Sequence, residues 1–143
     1  MRQTIEETGN YKGFPYLVIA YTAGHRCGYV GLDKDHPLYE VEYAEKTEDR
    51  DSPECLFDVH GGLTFSSHFD NQKTPEIDQS LWWFGFDCAH LYDAKDPSIM
   101  SDEYLEIENK YELSIPGGTI KTTEYVREEC KSLIDQIITM ETE

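Results

Sequence analysis

A chain of 143 residues with 38% hydrophobic and 13% aromatic residues has enough apolar content for one folded domain, residues 1–143, and wholesale disorder is disfavoured. Its 29 acidic residues against 12 Lys and Arg give a net charge of −17, which argues against direct binding to nucleic-acid phosphate or to an anionic membrane. No apolar run approaches the roughly 20 residues that span a bilayer, and the polar start MRQTIEETGN is unlike a signal peptide. We therefore expect a soluble, cytoplasmic protein.

The acidic excess leaves two interpretations open. Self-repulsion between acidic surfaces would keep the protein dispersed in solution. Alternatively, an acidic face would complement a basic partner, such as a nucleic-acid-binding protein whose groove it would occupy.

The cysteines are widely spaced, with no C-x-x-C pair. In a cytosolic chain of this size this spacing disfavours a disulfide framework, and most of them are expected to be small buried residues. They are Cys27, Cys55, Cys88 and Cys130.

The start of the chain predicts a β-hairpin. Residues 1–13 are polar and are expected to fray, although Ile5 and Tyr11 offer anchoring points. Phe14–Tyr21 is a nearly continuous apolar run, typical of a strand buried on both faces. After a short reversal, Arg26–Leu32 predicts the partner strand.

The stretch from Glu40 to Glu54 carries seven acidic and two basic residues. It is most simply a solvated loop, and it is also a candidate acidic contact surface. The binding candidates within it are Glu42, Glu45, Glu48 and Asp49.

Residues 57–66 alternate between apolar and polar, which predicts a strand. The face expected to be buried holds Phe57, Val59, Gly61, Leu63 and Phe65. The opposite face would present a row of candidate site residues spaced about 7 Å apart for each two positions: Asp58, His60, Thr64 and Ser66. Alternatively, it is an ordinary exposed sheet face with a bulge at Gly61 and Gly62.

Leu81–Phe86 is the most hydrophobic run and predicts an interior strand. Trp82 and Trp83 in such a strand are expected to lie in the core. Alternatively, since they are adjacent, the one that faces away from the helix-covered side is exposed and offers a platform for a base or an anchor for a partner. If the chain turns after this strand, the next polar residues, Asp87, Cys88 and His90, reach one pocket. If the strand continues, Asp87 points away from the other two.

In the last third, Asp96 predicts the cap of a short helix that begins at Pro97. Tyr104–Ile115 predicts one or two edge strands, followed by a turn at 116–118. A clear amphipathic helix follows, capped by Thr122 or Thr123, with an apolar stripe of Val126, Cys130, Leu133, Ile134, Ile137 and Ile138. Together these patterns predict an α+β fold: an antiparallel sheet of four to six strands with the C-terminal helix packed on one face.

The central polar residues permit two kinds of chemistry. His60, Asp87, Cys88 and His90, with His36 or His68 from loops, are ligand types that suit zinc, although no HExxH, HxH or CxxC motif is present. Alternatively, His60 would act as a base oriented by Asp58 or Asp87, with Ser66 or Cys88 as the nucleophile of a hydrolase.

Five motifs carry a resemblance: RCGYVG (26–31), HPLY (36–39), VHGGLTFS (59–66), WFGFDCAH (83–90) and YVREECKSL (125–133). Together they resemble a family of small proteins that bacteriophages and prophages of largely Gram-positive hosts encode. The resemblance covers most of the chain. Relatives often have Tyr at the position of Phe65, so a hydroxyl is not needed there. The resemblance implies a phage-type accessory protein and supplies no catalytic residues.

Phage accessory proteins of this size often act against host machinery, and by analogy with them the resemblance favours a non-enzymatic inhibitor. Our leading hypothesis is that an acidic surface, at residues 40–54 and 102–112, engages a basic host protein such as a nucleic-acid-binding defence effector. The alternatives are a small metal- or His/Asp-dependent hydrolase and a protein that binds a nucleotide signal, each with its site around His60 and His90.

Overall fold

The computed structural model describes residues 3–70, 74–111 and 118–142. It confirms the α+β fold, with a five-stranded antiparallel sheet and the C-terminal helix across one face. The elements are β1 (Gln3–Tyr11), β2 (Phe14–Tyr21), β3 (Arg26–Leu32), α1 (Pro53–Leu56), β4 (Phe65–Ser67), β5 (Trp82–Asp87), β6 (Asp93–Ala94), a 3₁₀ turn (Pro97–Ile99), α2 (Asp102–Tyr111), β7 (Thr119–Ile120) and α3 (Thr123–Glu141). The sheet order is β1-β2-β3-β5-β4, and β6 pairs with β7 separately.

The predicted hairpin and the predicted interior strand are confirmed. β2 pairs with β3, and β3 pairs with β5 from Cys27 opposite Asp87 to Leu32 opposite Trp82. All seven residues of β3 are buried, because strands lie on both of its edges and side chains cover both of its faces. This register places the end of β5 beside the hairpin turn, which determines where the candidate site forms.

The C-terminal helix α3 is also confirmed. The Thr122 hydroxyl accepts a hydrogen bond from the backbone N–H of Tyr125 at 3.1 Å, which satisfies one of the free donors of the first turn. Its apolar stripe packs on one face of the sheet. The fully buried members are Val126, Cys130, Leu133, Ile134 and Ile137, while Ile138 is partly buried against them.

A second apolar cluster covers the other face of the sheet, so both tryptophans lie in the core as expected, and the alternative of an exposed tryptophan is wrong. Trp82 packs in the helix-side core, and Trp83 packs on the opposite face with Ile77, Leu81 and Phe69. The two tryptophans are only 6% and 2% exposed. The loop between β4 and β5 supplies the cover over Trp83, so neither indole offers a stacking platform.

The prediction of a strand over residues 57–66 was wrong except at its end, where β4 begins at Phe65. Gly61 and Gly62 have φ of +70° and +84°, which is left-handed backbone, and the chain turns there. Phe57, Val59 and Leu63 are nevertheless buried, as expected. The alternation therefore reports burial, but the polar residues do not form a row.

Two further predictions are corrected. Residues 3–11 do not fray: they form β1, tied down by the ion pairs Glu6–Arg26 and Glu7–Arg127. Residues 102–111 form helix α2, because the Ser101 hydroxyl accepts the N–H of Tyr104 and starts a helical turn. Residues 112–117, with the rest of the predicted edge strands and most of the predicted turn, lie outside the described residues.

The predicted cap at Asp96 is confirmed, since its carboxylate accepts the N–H of Ser98 at 2.9 Å at the start of the 3₁₀ turn. All four cysteines are free; Cys55 is exposed and the other three are buried. Within the described ranges, no helix is both long and apolar enough to cross a bilayer.

Candidate functional site

Polar side chains gather at the end of β5, where the loop that carries Gly61 and the loop after Asp87 meet the start of α3. His60 and His90 lie with ring centroids 5.8 Å apart. His90 packs where a side chain on Gly61 would be, so the glycine is needed for this approach. The structure therefore brings the His60 and His90 rings together, a question that the sequence left open.

His60 forms a chain with two residues that the sequence did not single out. Its Nε2 lies 2.8 Å from Oδ2 of Asp93, and its Nδ1 lies 2.8 Å from the hydroxyl of Tyr125. An ionised carboxylate only accepts, so the proton of a neutral imidazole sits on Nε2. Nδ1 then accepts the Tyr125 hydroxyl. The result is a hydroxyl–imidazole–carboxylate chain.

Asp93 anchors this chain. Its side chain is 2% exposed, its Oδ1 lies 3.1 Å from Nζ of Lys121, and its Oδ2 also accepts the backbone N–H of His90. Burial opposes ionisation, but hydrogen bonds from His60, from the His90 backbone and from Lys121 outweigh it and lower the pKa of Asp93. Asp93 is therefore a carboxylate at neutral pH.

Tyr125 is the end of this hydrogen-bond chain that lies nearest the solvent. Its side chain, on the first turns of α3, is 37% exposed. Its partial burial, and then the charge of Glu129 and the neighbouring Cys88 and Asp93, raise the pKa of its hydroxyl. The phenol therefore stays protonated at neutral pH. Acid–base chemistry at this oxygen would have to pass its proton to His60 during the reaction.

The chain turns after β5, but Asp87, Cys88 and His90 do not reach one pocket as expected for a turn: Asp87 lines one cavity, Cys88 lines another, and His90 lines both. Nε2 of His90 lies 3.3 Å from Oδ1 of Asp87, and the Thr64 hydroxyl donates to Oδ2 of Asp87 at 3.1 Å. Cys88 is buried beneath them, and burial raises the pKa of its thiol to about 12. Cys88 is therefore a poor nucleophile and a poor thiolate ligand.

Two cavities share one wall at this site, built from His25, Ala89 and His90. One has a volume of about 350 Å³ and extends towards Cys88, Asp93, Lys95 and Glu108. The other, about 570 Å³, extends over Tyr29, Phe65, Thr64 and Asp87. Both fall within the size range of small-ligand sites. His25 was not a sequence candidate.

Asp58 and Ser66 do not join this site. Asp58 is exposed, and its backbone exchanges two hydrogen bonds with the side chain of Gln136 on α3. Ser66 is the middle residue of β4, opposite Phe84, and its hydroxyl accepts the N–H of Tyr43 and donates to Glu42. The described partners of the His60 ring are Asp93 and Tyr125.

The proposed zinc ligands do not converge on one point. Across residues 3–70, 74–111 and 118–142, no three His, Cys, Asp or Glu side chains are arranged to hold a metal ion. His60 has both ring nitrogens engaged, and the Cys88 thiol is buried. His36 and His68 lie elsewhere: His36 pairs with Glu141, and His68 with Glu40.

The acidic segment, residues 40–54, is held to the sheet at defined points. The Trp82 indole N–H donates to the carbonyl of Val41 at 2.9 Å. Within the segment, the backbone carbonyl of Tyr43 accepts the backbone N–H of Glu54 at 2.8 Å. Thr47 and Arg50 close a turn through reciprocal hydrogen bonds. The exposed acids of the segment include Glu42, Glu45, Glu48 and Asp49.

Sequence reasoning missed Asp93, Tyr125, Lys121 and His25 because their proximity depends on long-range packing. A signal existed for His25: pairing the predicted hairpin with the strand at 81–86 places its turn beside residues 87–90. For Tyr125, 65 residues from His60, no spacing in the sequence gives the contact.

Comparisons with protein-family models, with curated proteins and with solved structures gave no match for this chain. The site is therefore interpreted from its own geometry.

Proposed function

We propose that this protein is a non-enzymatic binding protein whose acidic segment engages a basic partner protein. The observation that carries the proposal is a set of exposed acids on a fixed backbone. Among the described residues, none of Glu42, Glu45, Glu48 and Asp49 has a Lys or Arg partner within ion-pair distance, unlike most of the partly buried acids.

The defined backbone conformation of the acidic segment favours a role in binding over a role in solubility alone. A solvated loop that serves only to repel other molecules needs no defined conformation, yet this one is tied to the indole of Trp82 and to the hydroxyl of Ser66. Ser66, once a candidate nucleophile, holds Glu42 through a 2.6 Å hydrogen bond. A preorganised charged surface loses less conformational entropy on binding, so more of its electrostatic attraction appears as affinity.

The class of the partner is inferred from the acidic surface and from the resemblance to phage and prophage proteins. A surface with this excess of acid is complementary to the grooves with which proteins bind nucleic acid, since those grooves are basic. The resemblance to phage and prophage proteins adds that the partner would be a host protein, such as a nucleic-acid-binding defence effector in the host cytoplasm. Helix α2 adds further exposed acids, Asp102, Glu103 and Glu106, as a second contact region.

The test compares capture by two proteins from a lysate of a Gram-positive host. One is the wild type; the other carries Glu42→Gln, Glu45→Gln, Glu48→Gln and Asp49→Asn. We expect the proteins retained by the wild type and lost by this segment variant to be basic, and to include nucleic-acid-binding proteins. A partner retained equally by both, or an acidic partner, would contradict the proposal.

A second candidate is acid–base hydrolysis at His60, favoured by the Tyr125–His60–Asp93 chain. In that reaction the Tyr125 oxygen would attack an acyl or phosphoryl centre, its proton would pass to Nδ1 of His60, and the leaving group would depart with that proton. A water molecule, deprotonated by His60, would then cleave the Tyr125 ester, and His60 would return the proton to the Tyr125 oxygen. The raised pKa of Tyr125 weighs against it. Turnover of nitrophenyl ester or phosphodiester substrates that is lost in both His60→Ala and Tyr125→Phe would support hydrolysis at this site. Turnover that is unchanged in both variants would exclude a catalytic role for these two side chains.

Nucleotide binding remains a further alternative. The larger cavity has no Lys or Arg among its lining residues, and its one carboxylate, on Asp87, would repel a phosphate. The smaller cavity contains Lys95, but Glu108 pairs with it at 2.9 Å. Thermal-shift screening with cyclic nucleotides would detect such binding.

A further inference from the structure

The larger of the two cavities, which we call the Asp87 cleft, has aromatic residues at its base and one carboxylate in its wall. Tyr29 and Phe65 pack edge to face there, with ring centroids 5.2 Å apart. His25, Thr64 and His90 form the polar rim. Burial lowers the pKa of His25, so this imidazole is neutral at pH 7. The lining contains one carboxylate, that of Asp87, and no Lys or Arg.

The carboxylate of Asp87 is unusual within this protein. Eight Asp and Glu residues of the described chain are partly buried, and six of them have a Lys or Arg partner. Those pairs are Glu6 and Asp96 with Arg26, Glu7 with Arg127, Asp93 with Lys121, Glu108 with Lys95, and Asp135 with Lys12. Of the other two, Glu129 accepts the backbone N–H of His60. Asp87 faces the cleft with no Lys or Arg beside it among the described residues.

The hydrogen bonds of Asp87 leave room for an external donor. Oδ1 accepts the backbone N–H of Ala89 at 3.1 Å, and Oδ2 accepts the hydroxyl of Thr64 at 3.1 Å. A carboxylate has about four acceptor positions, two on each oxygen. One position on each oxygen thus remains, and His90 Nε2, 3.3 Å from Oδ1, stands beside one of them. Two neighbouring acceptors match the parallel donors of a guanidinium group.

We propose that the Asp87 cleft binds an arginine side chain of the basic partner. The guanidinium would pair with Asp87 and lie against the aromatic rings of Phe65 and Tyr29, an arrangement that suits its planar, weakly hydrated cation. This inference rests on the proposed function for the source of the arginine, since a basic partner supplies such side chains. It adds an anchoring position that the acidic segment lacks, because the segment is exposed and the cleft is concave.

Other occupants fit the cleft less well. A phosphate or carboxylate would meet the Asp87 charge without a compensating Lys or Arg. A metal ion would need further ligands, and the described chain offers no group of three. A lysine would pair with Asp87 but would make a single-point contact and would stack less well on the aromatic base.

The test is an NMR titration of the ¹⁵N-labelled full chain with two blocked tripeptides, acetyl-Gly-Arg-Gly-amide and its uncharged citrulline analogue. We expect the arginine peptide to cause saturable shift changes at the backbone amides of Thr64, Asp87 and Ala89, and the citrulline peptide to cause none. Asp87→Asn should weaken binding about tenfold or more, as expected for loss of a charge-assisted pair. The exposed control Asp35→Asn should leave it unchanged.

A second variant guards against loss of structure in Asp87→Asn. Ala89→Leu changes an exposed lining residue, keeps the carboxylate and fills the cleft, so it should also abolish binding. Non-saturating shifts spread over residues 40–54, or binding unaffected by both variants, would overturn the inference. The two proposals fail separately: the segment variant tests capture of the partner, whereas the tripeptide tests the cleft in the absence of any partner.

Discussion

Nε2 of His60 and Oδ2 of Asp93 lie 2.8 Å apart, although 33 positions separate the two residues in the sequence. The carboxylate is nearly inaccessible, and it also meets Lys121 and the backbone N–H of His90. This single carboxylate therefore holds the ring of His60, the loop after β5 and Lys121, which precedes α3. The geometry of the candidate site depends on it.

Replacement of Asp93 by Asn should destabilise the fold by on the order of 2–3 kcal/mol at neutral pH, because Lys121 would lose the charge that compensates it. The pKa of Asp93 is lower in the folded protein than its ordinary value of 3.8. Its stabilising contribution is therefore complete above that value and is lost as the pH falls through the folded pKa. Urea unfolding at pH 7 and at pH 3 measures the difference between wild type and variant.

We expect that difference in unfolding free energy to be large at pH 7 and to shrink at pH 3. The matched control is Asp35→Asn, an exposed carboxylate that should change the stability little at either pH. A difference for Asp93→Asn that stays constant between the two pH values would show that its charge is not what stabilises the site.

Gly61 and Gly62 offer a matched pair of substitutions. Both have positive φ, so alanine at either position should cost roughly 1–2 kcal/mol of backbone strain. A Cβ on Gly61 would overlap the His90 ring, whereas a Cβ on Gly62 meets nothing within 4 Å. Side-chain NMR of His90 should therefore change in Gly61→Ala and not in Gly62→Ala. Equal spectra from the two variants would contradict the packing of His90 on Gly61.

The cysteines should differ sharply in reactivity. Cys55 is exposed, whereas Cys27 and Cys88 are buried with thiol pKa values raised to about 12, and Cys130 is fully buried in the core. Since the thiolate is the reactive form, an aromatic disulfide reagent should label one thiol rapidly in the native protein and the rest only on unfolding. Cys55→Ser should remove the rapid phase. A second rapid thiol would contradict the burial of the others.

The elements that the sequence predicted correctly are those with a local pattern. The continuous apolar run of β2 and the three- and four-residue spacing of Val126, Cys130 and Leu133 each report burial and periodicity at once. Residues 57–66 show the limit of such reasoning. Their apolar members are buried without pairing, since Gly61 and Gly62 adopt left-handed backbone that a strand pattern does not reveal.

Helix α2 shows a different limit. Leu105 and Ile107 alternate with Glu as in a strand, but α2 has no buried residue, so the alternation reports no core face. At the site, the sequence suggested His60, Asp87 and His90, and the structure does place His90 beside the other two. The sequence could not indicate Asp93 or Tyr125 as site residues, because their contacts with His60 are made only when α3 and the loop after β5 pack together.

The most direct test of the proposed function is the salt dependence of partner binding. For a captured basic partner, the wild-type Kd should rise about tenfold or more as the salt concentration rises from about 50 to 500 mM, because screening weakens charge complementarity. The segment variant should bind weakly already at low salt and show a shallower slope. A control removes the same number of charges elsewhere, with Asp35→Asn, Glu76→Gln, Glu124→Gln and Glu128→Gln, and should keep most of the wild-type affinity and slope. A wild-type Kd that does not change with salt, or a segment variant indistinguishable from this control, would contradict the account.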